Sequence, residues 1–447
     1  MKLKILENLQ GNKRKVASNV VWAMAGKVIT MSGALLVGIL VARYLGPEQY
    51  GLMNYVISYV SLFTVVSCFG MDNIEIRELA KAKDKKNEIL GTCFGIRLIF
   101  SLLAFILIGI TLLIFKTDRF TSVMIMAYSS ILFMQNFNVI RNYFFSIVEN
   151  KNIVKSEISR TLIGASIKII ILLLKAPLEL FIIATAFDAV LLASGYYISY
   201  RNKIGTIKEW TFNKQLAPFF IKESFPLVLS GAAVIIYQKI DQVMIGNMID
   251  NKSVGYFSTA CKFIDLILFI PTILTQTIVP LLIRTKEKAN EIVFKNKEIQ
   301  FIGIVTWVSI ILASIYTIFG YWFIALTYGE QYLLAIPVLQ IMAWKTVGMA
   351  LSSSSGQIII MEGLQKWAVF RNIIGCIICI VLNLILIPQY GIIGSAWVTI
   401  LTVLCSGFLS NYLIKPYRKT FYLQCQGLLY GWKYLIDLKS ILKNGHH

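Results

Sequence analysis

The chain contains 447 residues, of which 57% are hydrophobic and only 15% are charged. A soluble domain usually carries about 25% charged residues, so this composition excludes soluble enzymes, disordered chains and small disulfide-linked secreted domains. The net charge of +20 would suggest nucleic acid as a partner of a soluble protein, but cytoplasmic loops of membrane proteins are also rich in Lys and Arg. Because many apolar runs reach the ~20 residues that a helix needs to cross a bilayer, we predict a multi-pass membrane protein with no nucleic-acid partner.

The apolar runs predict twelve transmembrane helices. They cover residues 16–42, 48–70, 91–115, 120–147, 153–175, 178–200, 218–249, 254–283, 299–323, 332–361, 367–388 and 392–414. The segments predicted to lie on the same side of the membrane as the N-terminus carry 32 Lys and Arg residues, whereas the loops on the opposite side carry five. Cytoplasmic loops are the basic ones, so both termini are predicted to be cytoplasmic.

The two halves of the chain share an architecture. An offset of 204 residues places 45–51 over 249–255, and each segment is a short turn that enters the next helix at a glycine. Six spans precede the basic segment 201–217 and six follow it, so the halves share one orientation. The prediction is an all-α polytopic membrane protein, with twelve transmembrane helices in two six-helix lobes related by a parallel pseudo-two-fold repeat. The predicted parts are an N-terminal lobe (1–200), a basic cytoplasmic linker (201–217), a C-terminal lobe (218–414) and a cytoplasmic tail (415–447).

The tail has two interpretations. Its apolar residues can share one helical face, which is typical of an amphipathic helix lying in the cytoplasmic interface. They are Leu428, Leu429, Trp432, Leu435, Ile436 and Leu442. The alternative is a loosely attached tail.

Six basic residues lie in the interior of the predicted spans, away from the span ends that are counted with the adjoining basic segments 141–160, 201–222 and 366–371. They are Lys27, Arg97, Lys168, Lys239, Lys262 and Lys345. A Lys or Arg facing lipid at mid-bilayer costs about 2.5–3.5 kcal/mol, so most of these residues must face a wet cavity, pair with an acid or extend to the headgroups. We predict that Lys27, Lys239, Lys262 and Arg97 line a cationic substrate cavity. For Arg97, near the cytoplasmic edge, extension to the headgroups is the alternative.

Three acids accompany these cations: Asp188, Asp241 and Asp265. Lys262 and Asp265 are three residues apart on one helix and can form a structural ion pair. Lys239 and Asp241 are two residues apart and point to different faces. An acid without a partner at this depth favours its protonated form, so Asp241 and Asp188, with Asp265, are candidates for ion or proton coupling.

The sequence offers no catalytic or metal-binding constellation. The only histidines are His446 and His447, and Gly26-Lys27 is followed by Val28 rather than by the Ser or Thr of a phosphate-binding loop. We therefore expect no cofactor, no metal site, no ATP hydrolysis and no enzymatic activity. An ion gradient, the membrane potential or the substrate's own gradient would supply the energy.

Three segments resemble a known family. RYLGPEQYG at 43–51 is similar to the turn between the first two helices of polysaccharide flippases. FGMD at 69–72, with IRELA at 76–80, resembles the end of their second helix, and IPQYGIIGSA at 387–396 resembles their link between helices eleven and twelve. The family is the Wzx-type O-antigen and polysaccharide flippases of the multidrug/oligosaccharidyl-lipid/polysaccharide (MOP) exporter superfamily.

This resemblance implies two lobes that alternate in access and move an undecaprenyl-pyrophosphate-linked oligosaccharide, the repeat unit of O-antigen or capsule. It implies transfer from the cytoplasmic to the outer leaflet of a bacterial plasma membrane. The partners it implies are this lipid-linked cargo, membrane lipids, and the polysaccharide polymerase with its chain-length machinery. A multidrug cation antiporter of the same superfamily is the alternative function. A membrane-embedded sugar transferase is a weaker third, because the predicted extracytoplasmic loops are too short for sugar chemistry.

Overall fold

The computed structural model describes residues 2–288 and 290–436, and within these ranges the chain forms helices and no strand. The helices are α1 (Lys2–Cys68), α2 (Asp72–Lys81), α3 (Lys86–Ile114), α4 (Arg119–Tyr128), α5 (Ile131–Met134), α6 (Asn138–Ser146), α7 (Asn150–Leu173), α8 (Leu178–Lys203), α9 (Ala217–Met248), α10 (Asn251–Lys288), α11 (Glu291–Thr327), α12 (Ala335–Ala343), α13 (Lys345–Met361), α14 (Ala368–Leu404), α15 (Ser410–Leu413) and α16 (Arg418–Ile436). A π-helix over Cys405–Leu409 joins α14 to α15. The predicted all-α fold is confirmed.

Nine stretches of the described chain are long and apolar enough to cross a membrane. Two of them, Gly26–Lys81 and Gln365–Leu413, are each divided by a glycine with a positive φ angle. The glycines are Gly46 and Gly391, with φ values of 71° and 58°. With these stretches divided, and with α7 added, the helices correspond one for one to the predicted spans. The number of membrane crossings stays a prediction.

Helix α3 shows how the fold distributes polar and apolar side chains. Arg97 and Ser101 on this helix are buried, whereas Ile99 and Leu113 are 63% and 81% exposed. Large exposed aliphatic side chains recur on most of the other long helices. Buried residues are mostly hydrophobic here too, but the large apolar surface is unlike that of a soluble protein and suits a protein whose surface contacts lipid.

Contacts divide the chain into two units. Unit 1 comprises Met1–Leu45 and Val56–Ala232, and unit 2 comprises Gly46–Tyr55 and Ala233–His447. Residues 201–232 therefore group with unit 1. Part of the predicted linker is packed in place there, because the Asn213 backbone N–H donates to the Thr92 hydroxyl on α3 and the Asn213 amide donates to Glu88.

The turn 46–55 packs within unit 2 against the start of α10. A Cβ atom at Gly51 would overlap the carbonyl of Asn251, and one at Gly255 would overlap the carbonyl of Pro47. The offset of 204 residues pairs 47 with 251 and 51 with 255, so the contacts are reciprocal. A two-fold relation between the turns predicts this reciprocity.

Helix α16 packs closely along α11 in unit 2. Gly427 and Gly431, four residues apart, approach Gly303 so closely that a Cβ at any of the three would meet the opposite helix. The Trp307 indole N–H donates to the Leu428 carbonyl at 2.9 Å. Leu429 and Trp432 remain 64% and 44% exposed on the outer side. The start of the tail is thus a docked helix. Its interfacial location stays a prediction, and Leu442 lies outside the described residues.

Candidate functional site

Three lysines converge in unit 2 from three separate helices. Lys239 on α9 interacts electrostatically with Lys262 on α10 and with Lys345, the first residue of α13. Asp265 on α10 also interacts electrostatically with Lys239, and its side chain is exposed. We call Lys239, Lys262 and Lys345 the lysine cluster. Its three positive charges outnumber the two acids nearby, Asp265 and Asp241.

Lys262 and Asp265 form no ion pair in the described chain, although their spacing would allow one. Both side chains are exposed. The lysine cluster therefore keeps the charge of Lys262 rather than losing it to a neighbour on the same helix.

Asp241 lies next to the lysine cluster but faces a different set of partners. It is only 2% exposed, and its Oδ1 accepts a hydrogen bond from the Asn383 amide at 2.6 Å and one from the Cys379 thiol at 3.4 Å. Lys345 and Lys239 interact with it electrostatically. The different orientations of Lys239 and Asp241 agree with their spacing of two residues. Asn383 was not predicted from the sequence, because a lone Asn in an apolar helix gives no local signal of its partner.

Arg97 is fully buried in a separate network in unit 1, of which Asp72 forms the half-exposed edge. Its Nε donates to Glu75 at 2.7 Å and its Nη2 donates to Asp72 at 2.6 Å. The Asn142 amide donates to the same two carboxylates, at 2.8 Å to Asp72 and at 2.6 Å to Glu75. Arg97 is thus neutralised by acids from α2 and shielded from solvent, which departs from both predicted environments, the cavity and the headgroup layer. We leave it out of the proposed substrate site.

Asp188 is ion-paired in unit 1. Its Oδ2 lies 2.5 Å from the Lys168 Nζ, and Gly164, one turn before Lys168 on α7, leaves room for the carboxylate. Lys168 and Asp188, for which the sequence predicted no partner, therefore form an ion pair with each other. A role of Asp188 in coupling stays a prediction.

A cavity of about 280 Å³ lies beside this ion pair, between α7, α8 and the α4–α6 segment. Arg160 lines it together with Asp188. From the sequence, Arg160 groups with the basic cytoplasmic segment 141–160, because it lies close to the predicted start of a span at 153. Only the packing of α7 against α8 reveals that it faces an internal cavity.

Two further basic residues, Lys27 and Arg371, are not part of the lysine cluster. Lys27 is exposed on α1 in unit 1, and its carbonyl accepts a hydrogen bond from the Thr30 hydroxyl. Arg371 on α14 was counted as a loop residue, but it is largely enclosed in unit 2, where it interacts electrostatically with Tyr237 and Tyr417. No group of His, Cys, Asp or Glu in the described chain could hold a metal ion.

The long apolar helices and the apolar exterior define a multi-pass membrane protein rather than a soluble fold. Similar solved structures agree on the fold. A MATE-family multidrug resistance transporter in an inward-facing conformation is 14% identical, with a TM-score of 0.63 and coverage of 92% of this chain and 96% of that one. The lipid II flippase MurJ is 15% identical, with a TM-score of 0.66 and coverage of 94% and 93%. A MOP-superfamily transporter from Pyrococcus furiosus is 14% identical, with a TM-score of 0.56 and coverage of 96% of both chains.

The sequence places the chain more narrowly. The family model for polysaccharide biosynthesis proteins matches residues 16–286, which is more than half of the chain. The chain belongs to this family, and its fold is that of the MOP-superfamily transporters. The family resemblance predicted from the three motifs is confirmed. No curated protein sequence matches the chain.

Proposed function

We propose that the protein is a flippase that moves a polyprenyl-pyrophosphate-linked oligosaccharide from the cytoplasmic to the outer leaflet of a bacterial plasma membrane by alternating access. The lysine cluster carries this proposal. Lys239 is repelled by both Lys262 and Lys345, so the convergence of these lysines has a cost that an anionic ligand would offset. A pyrophosphate group offers such a charge, and ammonium groups are suitable point charges for phosphate.

The same cluster argues against a cationic drug as cargo. A cation antiporter needs acids whose charge is not offset by nearby cations, whereas Asp188 is ion-paired with Lys168 and the exposed Asp265 interacts with the lysine cluster. Asp241 is buried and hydrogen-bonded to Asn383. The fold resembles that of a MATE transporter, but the clustered charges are positive rather than the negative charges that a cationic cargo needs. Fold and charge together favour a lipid-linked anion over the multidrug alternative.

The membrane potential could drive this transport without ATP. A headgroup with about two negative charges gains about 4–5 kcal/mol when it moves outward across 100 mV, inside negative, at ~2.3 kcal/mol per charge. The return of the empty carrier is the harder step, because an unneutralised lysine cluster opposes it. We propose that a proton or a cation at Asp241 assists this conformational return. The proposal is supported by the Asn383 Oδ1 beside Asp241, which lacks a hydrogen-bond partner among the described residues.

Flipping by purified protein in vesicles tests the proposal. A fluorescent polyprenyl-pyrophosphate oligosaccharide is placed in one leaflet, and its appearance in the other is followed. We expect Lys239→Ala and Lys345→Ala to reduce flipping at least about tenfold, because each removes a charge-assisted phosphate contact. Lys239→Arg should restore part of the rate, since it keeps the charge but changes the geometry.

Lys252→Ala is the matched control, because Lys252 is exposed at the start of α10, ten residues before Lys262. It should flip the cargo at the rate of the unmodified protein. Full activity of both cluster variants would contradict the assignment of the lysine cluster to the headgroup. Transport of a cationic dye in place of the lipid would instead support the multidrug function.

A further inference from the structure

The cavity beside Arg160 is lined by both polar and apolar side chains of unit 1. Arg160 lies near the middle of α7, ten residues after the start of this helix at Asn150. Gln135, Asn138 and Asp188 line the cavity with it, together with the aromatic side chains of Tyr128 and Tyr196. Such a concentration of polar groups in the core of a membrane protein marks a functional site.

One face of α7 sets the charge of this cavity. Arg160, Gly164 and Lys168 follow each other at intervals of four residues and so share a face. Lys168 pairs with Asp188, which settles against Gly164. Arg160 forms no ion pair in the described chain, and its Nε is buried without a hydrogen-bond acceptor. The cavity therefore holds one uncompensated positive charge.

The remaining lining groups are complementary to hydroxyls. The Gln135 and Asn138 amides can each donate and accept hydrogen bonds. The Asp188 Oδ1 is buried and has no donor among the described residues. The rings of Tyr128 and Tyr196 are both buried and form part of the cavity wall. The volume is smaller than that of a drug-sized pocket, about 300–1,000 Å³, so it suits one small ring rather than an oligosaccharide.

We propose that this cavity binds a single acidic sugar unit, with the sugar carboxylate at the Arg160 guanidinium and the hydroxyls at Gln135, Asn138 and Asp188. The proposal rests on the proposed flippase function and narrows its cargo to oligosaccharides that contain a sugar acid. A planar guanidinium matches a carboxylate in a two-point contact that a neutral sugar cannot make. The lysine cluster of unit 2 would bind the pyrophosphate, and the Arg160 cavity would read the sugar.

Ligand-detected NMR with the purified full-length protein tests this assignment. The probes are glucuronate, glucose, acetate and inorganic pyrophosphate. We expect glucuronate to bind at least about tenfold more tightly than glucose or acetate, because it alone combines a carboxylate with ring hydroxyls. Arg160→Gln should remove this preference. Lys155→Gln, an exposed position on the same helix, should retain it.

Equal binding of glucose and glucuronate would overturn the proposal, and this comparison needs only the unmodified protein. Acetate binding as tightly as glucuronate, or pyrophosphate binding that Arg160→Gln weakens, would also overturn it, since the Arg160 cavity would then take simple anions. The flipping measurement separates the two proposals. Flipping of lipid-linked cargo without any preference for glucuronate rejects the Arg160 cavity alone, whereas a glucuronate preference without flipping rejects the flippase function.

Discussion

The buried network around Arg97 illustrates how a single intramembrane charge is accommodated. Glu75 and Arg97 are both shielded from solvent, and Asn142 satisfies further oxygen atoms of the acids. Removing one partner of a buried ion pair leaves the other charge without compensation, which costs about 3–5 kcal/mol. The network therefore stabilises α2 against α3 only as a complete set.

We predict that Arg97→Met destabilises the protein by about 3–5 kcal/mol in thermal unfolding, because it strands Glu75. The double variant Arg97→Met with Glu75→Gln should recover much of this loss, since no buried charge is then left unpaired. Arg77→Gln serves as control, because the Arg77 ion pairs are 45% exposed on the arginine side and contribute at most about 1 kcal/mol. Equal effects of Arg97→Met and Arg77→Gln would contradict the structural role.

Asp241 is the residue whose role the flippase cycle most depends on. We predict that Asp241→Asn slows turnover more than it weakens headgroup binding, because the variant can still accept the Asn383 hydrogen bond but can no longer change its charge. The measurement compares the flipping rate with the dissociation constant for inorganic pyrophosphate. A parallel loss in both quantities would place Asp241 in headgroup binding instead of coupling.

The glycine-containing turns act at the scale of elements. Gly46 adopts a φ of 71° immediately before Pro47, and this combination ends the first part of α1 and starts the second. Gly51 and Gly255 then allow this turn and the start of α10 to touch backbone to backbone. Two of the family motifs, at 43–51 and 387–396, thus coincide with the two breaks at positive φ.

We predict that Gly255→Ala lowers the midpoint of thermal unfolding by several degrees, because the added Cβ would overlap the backbone carbonyl of Pro47, which cannot rotate away. Gly38→Ala is the control: a Cβ there meets nothing within 4 Å, and alanine favours a helix by about 1 kcal/mol over glycine. A neutral effect of Gly255→Ala would show that the turns do not pack this closely.

At the scale of the whole molecule, the distribution of basic residues predicts the topology. Both termini and residues 201–217 are expected in the cytoplasm, with 116–119 outside. Single cysteines at 208 and 117 in a cysteine-free background, treated with a membrane-impermeant thiol reagent on intact cells, should react at 117 only. Labelling at 208 from outside would contradict the topology of twelve spans.

The proposed energy source is also a property of the whole transporter. We predict that collapse of an inside-negative potential slows outward flipping, because two negative charges then lose about 4–5 kcal/mol of driving force per 100 mV. Vesicles in which the potential and the pH gradient are imposed separately measure this. An unchanged rate without the potential would exclude electrogenic transport, and insensitivity to pH would remove proton binding at Asp241 from the cycle.

The sequence by itself determined the class of the fold, the helical segments and the positions of the turns. These features are local, because hydrophobic run length, charge alternation and glycine placement act within about twenty residues of chain. The motifs at 43–51 and 387–396 were readable for the same reason, since each encodes its own backbone turn.

Only the tertiary structure decided which charges meet. Arg97 pairs with Glu75, 22 residues away, and Asp241 bonds to Asn383, 142 residues away. Asp188 forms its ion pair with Lys168 rather than with Arg160. Helical periodicity reports the face on which a residue lies but not the helix that covers this face. Arg160 therefore resembled a loop residue in the sequence, and the packing of α7 against α8 turned it into the wall of a cavity.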